Sequence, residues 1–104
     1  MEKRIFGRTG LKISLLTFGC GAVGGLMTKG TSHDQDRAVD WARDNGINHF
    51  DTAPSYGDTV SEANLGRALG RNRSDIIVST KIGLSKDELK DIQGATQKSL
   101  EASL

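Results

Sequence analysis

Three side chains able to handle a proton stand at corresponding places in the sequence. Asp51 closes an apolar run from Ile47 to Phe50, and Tyr56 follows in the turn "TAPSYG". Further on, "DIIVST" leads to Lys81, and a glycine comes soon after it. An acid, a phenol and an amine brought together suit general acid–base chemistry. A free tyrosine has a pKa of about 10, poorly matched to neutral pH. A neighbouring ammonium favours the phenolate and lowers that value. Asp51 would hold the lysine charged and in place. Tyr56 would then act as a general acid toward a carbonyl being reduced, or as a base in the reverse reaction. The plain alternative is a salt bridge that ends two strands, with Tyr56 an ordinary amphipathic surface residue. The residue types alone leave both readings open, because ion pairs also occur without catalysis.

Both readings need Asp51 and Lys81 at the same end of neighbouring strands. Side chains alternate along a strand, so Ile47, His49 and Asp51 share one face and Phe50 takes the other. In "DIIVSTKI" Ile77, Ser79 and Lys81 share a face, opposite Val78 and Thr80. Parallel neighbours lie about 4.8 Å apart, which would allow a partly buried Asp51–Lys81 pair with Tyr56 folded over it. The carboxyl end of such strands is where α/β proteins build sites.

The rest of the pattern supplies those strands. "KRIF" and "LKIS" flank "GRTG", a hairpin signal. "LLTFGCG" reads as a buried strand and "GAVGGLMTKGTS" as a glycine-rich loop. A first helix begins near Ser32, where Ser32 and Gln35 fit a capping box and Asp34 and Asp36 suit the helix dipole. Ala38, Val39, Trp41 and Ala42 give it an apolar side, and Gly46 ends it. Ser61 reads as the cap of a second helix carrying Leu65, Ala68 and Leu69, with Gly70 as its stop. Ser85 and Glu88 open a third, continued by Leu89, Ile92, Thr96 and Leu100. A hairpin followed by alternating strands and helices predicts an α/β fold with a parallel sheet.

Composition narrows the function. The 104 residues carry 14 Lys and Arg against 13 Asp and Glu, a net charge of +1. That balance argues against nucleic acid as a partner, since phosphate binding needs a basic excess or patch. No apolar run is long enough for a membrane span, and the amino terminus lacks the apolar stretch of a signal peptide. Cys20 is the only cysteine, so the expected compartment is the cytoplasm. No His/Cys spacing suggests a metal.

The quoted segments have a further property together. "FGRTGLKIS", "FGCGAVGG", "GINHFDTAPSYG", "SEANLGRALG" and "IIVSTKIG" resemble, in order and spacing, the aldo-keto reductase family. The resemblance covers essentially the whole chain, and "FDTAPSYG" followed by "SEANLGRAL" is its specific part. It implies the N-terminal three βα units of a (β/α)8 barrel, preceded by a β-hairpin over residues 1–14 that closes the barrel's bottom. It implies NADPH-dependent reduction of aldehydes and ketones, with NADH as the alternative cofactor. Asp51, Tyr56 and Lys81 match three members of the family's catalytic set. The fourth, a histidine at the end of the fourth strand, is matched by neither His33 nor His49 and is expected beyond Leu104. Gly21, Ala22 and Val23, with Asp51, are the positions expected to approach the nicotinamide. Such a barrel typically needs about 250 residues, so residues 1–104 are expected to be a partial domain, inactive alone and lacking the rest of its barrel.

Two rivals come from other classes. "GCGAVG" matches G-x-G-x-x-G, but a dinucleotide-binding module needs its helix to start within the glycines, and "LMTKGTS" intervenes before Ser32. A non-catalytic binding or scaffold role is the other. Remaining candidates read blandly. Cys20 is a small buried hydrophobe, His49 a satisfied interior residue, His33 an exposed first-turn residue and Lys29 a solvated loop residue. Trp41 is expected to pack its helix on a neighbour, and "RNRSD" to be a solvated turn.

Overall fold

The computed structural model describes residues 1–82. Strands β1 (Lys3–Ile5) and β2 (Lys12–Ser14) pair antiparallel, joined through one 3-10 turn at Gly7–Thr9. This is the expected hairpin. β3 (Phe18–Gly19), β4 (His49–Asp51) and β5 (Ile77–Ser79) form a parallel sheet in that order, with β4 in the middle. Between β3 and β4 run α1 (Leu26–Lys29) and α2 (Ser32–Asp44), and α3 (Val60–Leu69) connects β4 to β5. The fold is therefore α/β with helical crossovers between parallel strands. The third helix expected from Ser85 to Leu100 lies outside the described residues.

Alternation on β4 separates core from site. Phe50 is fully buried and joins Val39, Ala42, Leu65 and Leu69 from α2 and α3. Its ring centroid is 5.3 Å from that of Phe18, within the range of favourable aromatic pairing. His49 and Asp51 therefore point to the opposite face. Pinning Phe50 among the helices fixes the strand's register, because a slip by one residue would exchange the two faces.

Several local expectations are corrected. The cap of α2 is Thr31, whose hydroxyl accepts from the Asp34 amide at 3.1 Å, rather than Ser32. Gln35 does not close a capping box. It is buried and donates to the Leu26 and Gly30 carbonyls at 2.9 and 3.0 Å. Trp41 is 65% exposed, because Gln35, Val39 and Ala42 define the inner face of α2 and Trp41 stands off it. Leu15 and Leu16 are exposed too, so the buried part of "LLTFGCG" reduces to Cys20 and the partly buried Phe18. The glycine-rich segment contains a helical turn, α1, that buries Met27. Helix α2 ends as expected, with Gly46 in the left-handed region at φ 89°.

Ser61 is not the cap of α3. Thr59 holds that position, at φ 72° and without a side-chain cap bond. Ser61 is instead fully buried and donates to the Cys20 carbonyl at 2.8 Å. Its oxygen is then free to accept from Thr52, 2.9 Å away. This pair ties the first turn of α3 to the ends of β3 and β4. Ser61→Ala should therefore cost about 1–3 kcal/mol, because the buried Thr52 hydroxyl and the Cys20 carbonyl lose a partner. A urea melt of the full-length protein checks this: the midpoint should fall at unchanged slope.

Candidate active site

The three proton-handling side chains meet at the carboxyl end of the sheet. Asp51 pairs with Ser79 across the β4–β5 ladder. Lys81, on the same face and two positions beyond Ser79, reaches back with its long side chain. Its Nζ is 3.3 Å from Asp51 Oδ2 and donates to the Thr52 carbonyl at 3.0 Å. The pair is more exposed than expected, with side chains 51% and 38% accessible for lysine and aspartate.

Tyr56 comes from the turn after β4. That turn is closed by the Tyr56 amide on Ala53 O at 3.2 Å and the Thr59 amide on Pro54 O at 2.7 Å. Gly57, Asp58 and Thr59 follow in the left-handed region, at φ 63°, 53° and 72°. A side chain at Gly57 would come within 3.1 Å of Thr28, so this position needs glycine both for conformation and for space. The result sets the Tyr56 ring 5.1 Å from Lys81 Nζ, measured to the ring centroid, a cation–π distance.

Charge at the site follows from these contacts. The Ser79 hydroxyl, 2.6 Å from Asp51 Oδ1, is the largest influence holding the Asp51 carboxyl below its ordinary 3.8. Partial burial opposes it, and Lys81 and His49 add to it. Partial desolvation pulls the Lys81 ammonium down, but Tyr56 and Asp51 outweigh it and hold its pKa above 10.5. Aspartate and lysine are thus oppositely charged across the neutral range. Because the folded-state pKa of Asp51 is depressed, the stability it contributes is present above pH 3.8 and lost as pH falls through the lower folded value. Denaturant melts of the full-length protein should show the stability gap between wild type and Asp51→Asn closing in that acid window.

Gly21 lies beside the phenol. A Cβ there would stand 3.8 Å from the Tyr56 ring, filling space that the glycine leaves open next to the hydroxyl-bearing side chain. Two residues on, Val23 is completely exposed. Cys20, by contrast, is buried and its thiol is pushed up to about 11, first by burial and then by the Asp51 charge, which makes it inert. His33 is exposed and 3.7 Å from Asp34. His49 lies on the site's face with both ring nitrogens partnered. The sequence placed Ser79 on the same face as Lys81 but gave it no part. Its signal was its position two residues before the lysine.

Residues 15–104 match the model of the aldo/keto reductase family. The chain belongs to the aldo/keto reductase family. The L-galactose dehydrogenase of Arabidopsis thaliana is 40% identical over 107 aligned residues, which cover 100% of this chain and 34% of that enzyme. The pyridoxal 4-dehydrogenase of Microbacterium luteolum is 39% identical over 82 residues, covering 79% of this chain and 24% of that enzyme. Among solved structures, the holo form of the aldo-keto reductase AKR11C1 from Bacillus halodurans superposes with a TM-score of 0.70 at 30% identity. That alignment covers 97% of this chain and 37% of the Bacillus protein. The chain thus spans about a third of the length of these aldo/keto reductases, and its α/β arrangement corresponds to part of their barrel fold. Family membership removes the dinucleotide-binding module as a rival.

Proposed function

We propose that the protein carrying this sequence is a cytoplasmic oxidoreductase that reduces small aldehydes or ketones, or oxidises the corresponding alcohols, with NADPH. NADH is the alternative cofactor. On this reading residues 1–104 are the first three βα units of a (β/α)8 barrel and are inactive without the remainder. The observation that carries the proposal is the convergence of Asp51, Lys81 and Tyr56, with Lys81 Nζ 3.3 Å from the carboxylate and 5.1 Å from the phenol ring centroid.

Gly21, Ala22, Val23 and Asp51 would hold the nicotinamide, which when bound supplies a hydride to the carbonyl carbon. Tyr56 gives its hydroxyl proton to the carbonyl oxygen, so the carbonyl becomes an alcohol. The Lys81 charge stabilises the phenolate left behind, and Asp51 keeps that charge aimed at the ring. In the reverse direction the same phenolate accepts the alcohol's proton. A non-catalytic scaffold would have no use for an acid, amine and phenol gathered at a strand end, so we favour the enzyme.

The test is loss of reduced-nicotinamide absorbance when the full-length protein meets a panel of aldehydes and ketones. Steady NADPH consumption that depends on the carbonyl is expected. A folded protein that binds NADPH but turns over no carbonyl, in either direction, would overturn the proposal.

A further inference from the structure

A row of polar side chains lies on the site's face of the sheet, behind the proton-handling group. Thr17 Oγ1 is 2.8 Å from His49 Nδ1, and His49 Nε2 is 3.0 Å from Ser79 Oγ. Ser79 Oγ is in turn 2.6 Å from Asp51 Oδ1. The direction of every bond in this row can be deduced from its far end. An ionised carboxylate only accepts, so the single Ser79 hydrogen goes to Asp51. Ser79 Oγ must then accept from His49, which requires the hydrogen on Nε2. In the neutral ring Nδ1 is left as the acceptor, and Thr17 donates to it.

From this geometry we infer that His49 and Ser79 are positioning residues for the reaction: a relay of aligned donors, anchored at Thr17, that locks the Asp51 carboxylate and leaves its second oxygen for Lys81. The inference rests on the reading of Asp51, Lys81 and Tyr56 given above. Ser79 Oγ takes Oδ1 at 2.6 Å, while Lys81 Nζ is nearer Oδ2, at 3.3 Å, than Oδ1, at 3.5 Å. The carboxylate therefore has one oxygen assigned to each neighbour and cannot rotate without breaking the shorter bond. Short charge-assisted O–H···O⁻ contacts of this kind are the stronger class of hydrogen bond. The pair itself is half exposed, so without Ser79 the aspartate could turn toward water and leave Lys81 misaimed. Lys81 and His49 act on the Asp51 charge, the buried Cys20 thiol feels it in turn, and the Tyr56 phenol stands beyond Lys81, against its ammonium.

The relay predicts a result in each of two independent experiments on the full-length protein. In nitrogen-15 NMR at neutral pH, His49, assigned by its loss in His49→Gln, should show the Nε2–H tautomer with Nδ1 unprotonated. The Asp51 carboxyl carbon should titrate at higher pH in Ser79→Ala than in wild type. In carbonyl reduction, Ser79→Ala should lower kcat on the order of 10-fold with little change in KM, as expected for misaimed catalytic geometry, and Ser79→Thr should recover most of it by restoring the hydroxyl. An Nδ1–H tautomer, or an Asp51 titration unmoved by Ser79→Ala, would overturn the inference even in a protein with no turnover. Equal kcat for wild type and Ser79→Ala in an active enzyme would overturn it as well. A protein with the predicted tautomer and titration but no carbonyl turnover would instead refute the proposed activity and leave the relay standing.

Discussion

Tyr56→Phe in the full-length protein should slow carbonyl reduction by about 10²–10⁴-fold, the contribution typical of a positioned general acid. The substitution deletes the hydroxyl and keeps the ring. The ring's approach to Lys81 at 5.1 Å and its contact beside Gly21 do not depend on the oxygen, so the fold and the turn at residues 54–59 should survive. Binding of NADPH, measured separately by fluorescence titration, should change little. The loss should therefore fall on kcat. A Tyr56→Phe enzyme with wild-type turnover would remove the phenol from its role.

Lys81→Met should be nearly as damaging, about 10²–10³-fold in kcat, the range seen when a preorganised electrostatic contact to developing charge is removed. Methionine keeps the reach of the side chain and discards the ammonium. Asp51 then loses its cation, and the phenolate formed as Tyr56 gives up its proton has no neighbouring positive charge. Lys81→Arg should not restore the rate. A planar guanidinium needs a different geometry from a compact ammonium, and here the charge must reach Asp51, the Thr52 carbonyl and the Tyr56 ring together. Wild-type kcat in Lys81→Met, read from steady-state kinetics, would contradict this.

The placement of Asp51, Tyr56 and Lys81 at one end of the sheet was legible in the sequence because strand alternation and turn punctuation act over a few residues. "INHFD" and "IIVSTK" each show which face a side chain takes, and Pro54 with Gly57 marks the turn that carries Tyr56. The hairpin, the parallel order and the C-terminal stops of α2 and α3 at Gly46 and Gly70 followed from the same local signals. What was not legible depends on contacts between distant parts of the chain. Gln35 looked like a capping residue, but Leu26 and Gly30 offer it two carbonyls and draw it inside. Ser61 looked like a cap, but three consecutive residues in the left-handed region, one of them Thr59, shift the helix start and turn Ser61 toward Cys20 and Thr52. A β-branched residue there is rare, so no pattern rule anticipates it. Trp41 looked like core because it is large and apolar, whereas the face of α2 set by Val39 and Ala42 excludes it. Ser79 was visible on the right face, but a hydroxyl in a strand carries no signal of its own until the carboxylate opposite is known.

The central claim is that Lys81 acts through Tyr56, and a double-mutant cycle tests it most directly. Wild type, Tyr56→Phe, Lys81→Met and the double variant are compared for kcat in carbonyl reduction by the full-length protein. Residues that work as one unit show strongly non-additive losses. The double variant should therefore be about as slow as Tyr56→Phe alone, because without the hydroxyl there is no phenolate for the ammonium to stabilise. A double variant whose loss is the product of the two single losses would mean that the lysine and the tyrosine act independently, and would contradict the account.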